Sequence, residues 1–400
     1  MSRQRPSAPP GQTAAGPGHL AAAAGLVLLG QGFWGLMPGA SAAASGLFVL
    51  IVQASVLALG FVILAARWEQ AVRGLGRDVL PLLVVIVCIA SAMWSAAPLV
   101  TLQAGLLLLL VLGFGIALAL RFAQAELARI TAVAALTLVL AQVLGQLVDG
   151  AAVAGLTAGG GELALALAAS VWAAATDARW RTGWSVAAVV CAVLALATSD
   201  LATLGAGIGL LAGWLAARLA RTGLPGVMGL AWLLAAGTIA VTLFGLFLAP
   251  DLADSLRAAG AGQGLVWLSG TGFAAGGRDL VAAFWQGTGV WGTGLAVLAL
   301  AGFVIRAAVH DARTGDAACL ATCGLAGAVA LAPAQVQVVS PILVVLCAAG
   351  FAVAAGPVTV RERTRRRPLV TGPRGRPTVQ PGTRAQRAPA QGAKAPRYRL

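Results

Sequence analysis

Long apolar runs alternate with short polar breaks along nearly the whole chain. The runs fall at 20–37, 46–66, 79–97, 101–120, 127–147, 161–176, 184–198, 201–217, 227–249, 287–309, 317–333 and 339–356. A helix needs roughly 17–25 apolar residues to cross the hydrocarbon of a bilayer. The pattern therefore predicts an all-α fold: a polytopic membrane helix bundle of about 12 transmembrane helices over residues 19–356. The sixth and seventh runs are short. They read as a tilted or partly re-entrant pair, which leaves ten spans as the alternative count. Residues 1–18 and 357–400 lie outside the pattern. The first is a short Pro/Gly/Ser lead, the second a basic Pro/Gly-rich tail, and both read as disordered and cytoplasmic.

The breaks carry charge in alternation. The first (Pro38 to Ser45) has none. The second holds Arg67, Arg73 and Arg77, and the third, around Ser95 to Pro98, again has none. Arg121 and Arg129 mark the fourth, Arg179 and Arg181 the sixth, Arg218 and Arg221 the eighth, Arg306 and Arg313 the tenth. The fifth and seventh hold only the acids Asp149, Glu162 and Asp200. Of 27 Lys and Arg, only Arg257 and Arg278 fall in an odd break, the long ninth. Cytoplasmic loops concentrate Lys and Arg, so the even breaks and both termini are expected inside, and residues 250–286 form a large outer loop between helices 9 and 10. An even number of spans gives the same placement of the termini.

Composition changes this picture little. The chain is 59% hydrophobic and 10% charged, too few charges to cover a soluble domain. The net charge of +14 is concentrated after residue 360, where twelve Lys or Arg face Glu362 alone. Such a tail after a last span fits anionic lipids, at about 1 kcal/mol per basic residue near the surface. No nucleic acid partner is expected. The five cysteines lie inside apolar runs and read as small packing residues; Cys319 and Cys323 share a helix face, with no His or further Cys near in sequence. Gly205, Gly209 and Gly213 repeat at four-residue spacing and predict a helix-packing seam. Trp34, Trp68, Trp94, Trp180, Trp184 and Trp291 stand near span ends, as an interface belt would. Gln53, Gln103, Gln142 and Gln146 lie within spans and are expected to face the bundle interior. The stretch Gly287-Thr288-Gly289-Val290-Trp291-Gly292 matches a dinucleotide fingerprint only by letters, because no strand precedes it.

The outer loop is long for a connection between neighbouring helices, and such loops are usually functional or disordered. It begins Pro250-Asp251-Leu252-Ala253-Asp254 and ends Gly276-Gly277-Arg278-Asp279. Leu280, Val281, Phe284 and Trp285 follow at helical spacing, which predicts a short helix over 278–286 on the outer face.

Three stretches carry a resemblance. One is Ser91-Ala92-Met93-Trp94-Ser95-Ala96-Ala97-Pro98 with Thr101-Leu102, and a following helix that closes in Ala119-Leu120-Arg121-Phe122. Another is Gly277-Arg278, Trp285 and Gly292-Thr293-Gly294; the weakest is Thr198-Ser199-Asp200 with Thr203. Together they resemble the O-antigen ligase and O-antigen polymerase family, with its exopolysaccharide polymerase-like branch, of which this chain looks like a divergent member. The family's span number, cytoplasmic termini and large loop after the ninth helix agree with the reading above. The resemblance covers about residues 45–350.

The resemblance implies surface polysaccharide assembly in the bacterial inner (plasma) membrane. The reaction would be metal-independent and cofactor-free. A glycan on undecaprenyl pyrophosphate would be transferred to a sugar hydroxyl of a glycan acceptor. Guanidinium groups suit a leaving pyrophosphate, and a base must take the hydroxyl proton. Arg278 matches the family's arginine and is the expected pyrophosphate ligand, with Arg257 and Trp285 as further substrate-binding residues. Asp279 and Asp254 are the expected catalytic carboxylates, and Glu162 is an alternative. Ligases of the family use an outer histidine, whereas His19 and His310 both fall on the cytoplasmic side. Where the family often has Ser-Arg before the eighth helix, this chain has Ser199-Asp200. The competing readings are a membrane transporter or flippase and a non-catalytic assembly subunit.

Overall fold

Every regular element among the described residues is helical. The computed structural model describes residues 17–34, 42–76, 79–95, 97–148, 160–198, 201–221, 273, 280–314, 317–331 and 339–355. These belong to one unit, Met1–Pro357; the second, Val358–Leu400, lies outside the described residues. The helices are α1 (Pro17–Leu29), α2 (Gln31–Trp34), α3 (Ala42–Ala65), α4 (Trp68–Leu75), α5 (Leu80–Ala90), α6 (Pro98–Arg121) and α7 (Gln124–Val148). They continue with α8 (Gly160–Thr176), α9 (Arg181–Thr198), α10 (Leu201–Arg221), α11 (Leu280–Thr314), α12 (Ala318–Leu331) and α13 (Pro341–Ala355). A 3-10 turn, Ser91–Trp94, follows α5. Each expected run except the ninth, which lies outside the described residues, holds a helix.

Among the described residues, four helices are long and apolar enough to cross a membrane: Phe48–Ala65 within α3, Pro98–Arg121, Gln124–Leu147 and Gly287–Asp311 within α11. A fifth is added if α4 and the α5 segment, bent by 93°, count as one span. The other apolar helices are shorter. The structure is thus a helical membrane bundle.

Two expectations need correction. The first run is not one helix. It breaks at Gly30, where a β-carbon would collide with Leu138 and sit 3.0 Å from Glu162 Oε1. The carbonyls freed at the break are taken up by side chains: Trp34 Nε1 donates to Leu28 O at 3.0 Å and Gln53 Nε2 to Leu29 O at 3.3 Å. The second break is not a loop either, since α4 occupies it.

Helix α8 forms the centre. From Leu163 to Ser170 every side chain is buried, and Trp172 is among the largest fully buried residues. Ala and Leu alternate there, so neighbours approach closely on all sides. By contrast α9 exposes Val186, Val189, Val190, Val193 and Leu196, an apolar face that suits hydrocarbon. The expected glycine seam joins α10 to α12. A β-carbon on Gly209 would run into the Cys323 carbonyl, one on Gly213 would reach the Cys319 carbonyl at 2.8 Å, and one on Gly327 would meet the Gly205 carbonyl. Cys319 and Cys323, with Sγ atoms 3.6 Å apart, are therefore small residues on the facing ridge.

Candidate functional site

The third break builds a defined turn. Pro98 opens α6 at a position where its missing N–H costs nothing. Ser95 caps the turn: its Oγ accepts the Ala97 N–H at 3.0 Å and shares a hydrogen bond with Thr101 Oγ1 at 2.6 Å. The Trp-Ser…Pro…Thr spacing thus has a local cause. Ser95 and Thr101 are six residues apart because they close the first turn of α6 from both sides.

Ser91, just upstream, is fully buried. Its hydroxyl donates to Cys88 O at 2.7 Å and accepts the N–H of Phe273 at 3.0 Å. Phe273 belongs to the long ninth break, yet its side chain is fully buried. The structure therefore brings Phe273, five positions before Arg278 in sequence, against the 3-10 turn that precedes the third break. Sequence reasoning missed Phe273; an isolated apolar residue in a Gly/Ala-rich loop was the available signal.

Beyond the loop, α11 consists of two helical segments joined at Gly289. Its φ of 61° and ψ of −156° are accessible to glycine and strained for other residues. The segment before the joint includes the expected short helix, whose described backbone starts at Leu280. Thr288 and Thr293, on either side, are 1% and 5% exposed. A β-carbon on Gly292 would collide with the Thr288 side chain, so the joint needs both glycines. The letters that mimic a nucleotide motif encode a break in a helix.

The expected site residues Arg278, Asp279, Arg257 and Asp254 lie outside the described residues, as does Asp200. Trp285 lies on the first segment of α11, in the described helical backbone. Glu162 opens α8 and is 8% exposed. At 1.5 Å per residue it stands about 22 Å along α8 from Asp177. Its acid is favoured by the α8 N-terminus. Gln53 is buried as expected, but Gln103 is exposed and does not face the interior. Among the described residues no cluster of three or more His, Cys, Asp or Glu could hold a metal.

The arginine-bearing breaks meet at the other end. His19 Nε2 lies 3.7 Å from Glu126 Oε1, and its ring packs on Phe122 at 5.2 Å. Arg67 donates to Leu120 O at 2.5 Å. Arg129 Nε lies 3.5 Å from Asp177 Oδ2, while Asp177 Oδ1 accepts the Arg179 N–H. Asp311 caps α12 by accepting the N–H groups of Ala318 and Cys319 at 3.0 and 2.7 Å.

No family model, curated protein or solved structure matches the chain.

Proposed function

We propose that this chain is a multi-pass protein of the bacterial inner membrane that works in surface polysaccharide assembly. It has twelve spans, cytoplasmic termini and an outer loop at 250–286. There it transfers a glycan from undecaprenyl pyrophosphate to a sugar hydroxyl, with Arg278 and Arg257 on the pyrophosphate and Asp279 or Asp254 as the base. Trp285 contacts the glycan, and the tail after residue 360 holds anionic lipid. The observation that carries this reading is the hydrogen bond from Phe273 to Ser91, because it ties a residue of the long ninth break to the start of the Ser91–Pro98 stretch that resembles the ligase and polymerase family.

The test is Arg278→Ala in a deletion strain. Loss of surface polymer at normal protein level is expected. Unchanged polymer length and amount removes Arg278 from the site and leaves the assembly-subunit reading. A topology reporter fused near Gly270 that reads as cytosolic overturns the orientation and the reaction with it.

One observation favours transport instead. The break at Gly30 lies within the bundle, with Gln53 and Glu162 against it. Broken helices beside polar groups mark binding sites in secondary transporters, and Glu162, in the first turn of α8, stands beside this break. Proteoliposomes of the full chain separate the two readings. Gradient-driven movement of solute or labelled lipid that stops in Glu162→Gln is transport, whereas glycan lengthening without a gradient is transfer.

A further inference from the structure

Helix α4 leaves the direction of its neighbours. Its axis lies 93° from the α5 segment that follows. With Leu80–Trp94 crossing the bilayer, as the apolar run 79–97 predicts, a helix at that angle runs along the membrane surface. Its level is set on both sides, because α3 ends at Ala65 and α5 begins at Leu80. Arg67, at its start, is tied to the Leu120 carbonyl, so the entry cannot swing.

At 100° per residue, Gly74, Ala71, Leu75, Trp68 and Val72 fill one continuous arc of α4, and Glu69, Arg73 and Gln70 the other. The bundle covers only part of the apolar arc. Ala71 and Gly74 are buried, Gly74 directly against the Phe351 ring. Trp68 and Val72, on the same arc, stay 57% and 44% exposed. Across the helix, the Glu69 and Arg73 side chains pair at 3.8 Å and are 91% and 72% exposed. The uncovered strip amounts to two side chains. A stable protein interface needs about 800 Å² per partner, far more than Trp68 and Val72 supply. A tryptophan at the level of the helix ends suits the headgroup region.

We infer that α4 is an in-plane interfacial helix whose partner is bilayer phospholipid. Trp68 and Val72 enter the boundary between headgroups and acyl chains, and Glu69 and Arg73 remain in water. An amphipathic helix of this kind buries its apolar face about 5–10 Å into the interface. The helix then fixes the depth of the arginine-bearing end independently of the long spans. This inference does not rest on the proposed glycan chemistry.

The test uses the full chain reconstituted in phospholipid vesicles. Val72→Cys and, separately, Arg73→Cys are labelled with an environment-sensitive thiol dye. Labelling is selective because Cys88, Cys191, Cys319 and Cys323 are buried, and the parent chain corrects for the partly exposed Cys347. Both substitutions fall on exposed side chains, so folding is retained. The dye at position 72 should shift to the blue and lose intensity with lipids brominated near the headgroup, but not with aqueous iodide. The dye at position 73 should respond to iodide instead. Equal iodide quenching at both sites overturns the inference. So does protection of position 72 from both quenchers, which would mean that a second copy or another protein covers it.

Discussion

The two ends of the bundle are closed by different chemistry. At the arginine-bearing end, charged groups do the work: His19 with Glu126, Arg129 with Asp177, Arg67 on a carbonyl, Asp311 as a helix cap. At the other end, among the described residues, hydroxyl, amide and indole groups serve the same purpose, beside the single buried acid Glu162. Ser91, Ser95 and Thr101 hold the turn before α6, and Trp34 and Gln53 take the carbonyls at the α1 break. Helix ends must have their free N–H and C=O groups satisfied, and the neutral end shows that no arginine is required for it. The asymmetry in charge therefore needs another cause. Retention of Lys and Arg on the cytoplasmic side of a bilayer supplies one, which is why the proposed orientation follows from the contrast rather than from the helices alone.

The largest expected effect comes from stripping a charge partner at the arginine-bearing end. The Asp177 side chain is 2% exposed and that of Arg129 36%. Removing one partner of a buried pair typically costs about 3–5 kcal/mol. Arg129 reaches solvent, so Arg129→Ala should cost less, roughly 2–4 kcal/mol, because exposed ion-pair partners contribute little. Adding Asp177→Asn should recover much of the loss by removing the stranded charge. Thermal unfolding in detergent reads both. An Arg129→Ala protein as stable as the parent would mean that charge does not hold this end.

Much of this contrast was legible in the sequence, and the parts that were not have physical reasons. The apolar runs located the helices because burial in hydrocarbon demands an uninterrupted stretch whatever the neighbours are. The four-residue glycine repeat announced the α10–α12 seam, since close approach requires small residues on one face. Helix α4 escaped because eight residues with three charged or amide side chains look like a loop when read for hydrophobicity; only its arc of Trp68, Ala71, Val72 and Leu75 signals a helix. The break at Gly30 escaped because the groups that stabilise it, Gln53 and Trp34, are remote or fall at a run's end. Phe273 carried no periodicity at all. Of the site, the turn at Ser95 was legible, as a resemblance to be explained by capping. Arg278 and its neighbours remain expectations from that resemblance.

At the neutral end, Ser91→Ala is the next test in size. It removes the acceptor of the buried Phe273 N–H. A stranded buried donor costs about 1–3 kcal/mol. The loss should appear first as local opening, with faster hydrogen exchange at Phe273 than in the bundle, since loops unfold at lower free energy than cores. Ser91→Thr, which keeps the hydroxyl, should restore slow exchange if its methyl group is accommodated. The pairs at the arginine-bearing end should not respond. If Ser91→Ala loosened His19 and Glu126 as well, the two ends would be one cooperative structure, and their comparison as separate closures would fail.

The smallest expected effect falls on the turn before α6. Ser95 Oγ accepts from Ala97 N and pairs with Thr101 Oγ1, so Ser95→Ala removes both interactions and Thr101→Val only the second. A single intramolecular hydrogen bond contributes about 0.5–1.5 kcal/mol net. Ser95→Ala should thus cost roughly twice what Thr101→Val does, and the double variant little more than Ser95→Ala. Denaturant unfolding of the four proteins measures that coupling directly. Full additivity would mean that the hydroxyls act separately, leaving Thr101 as a buried packing residue and the neutral end one closure poorer. Coupling would mean that two hydroxyl groups accomplish at this end what an ion pair accomplishes at the other.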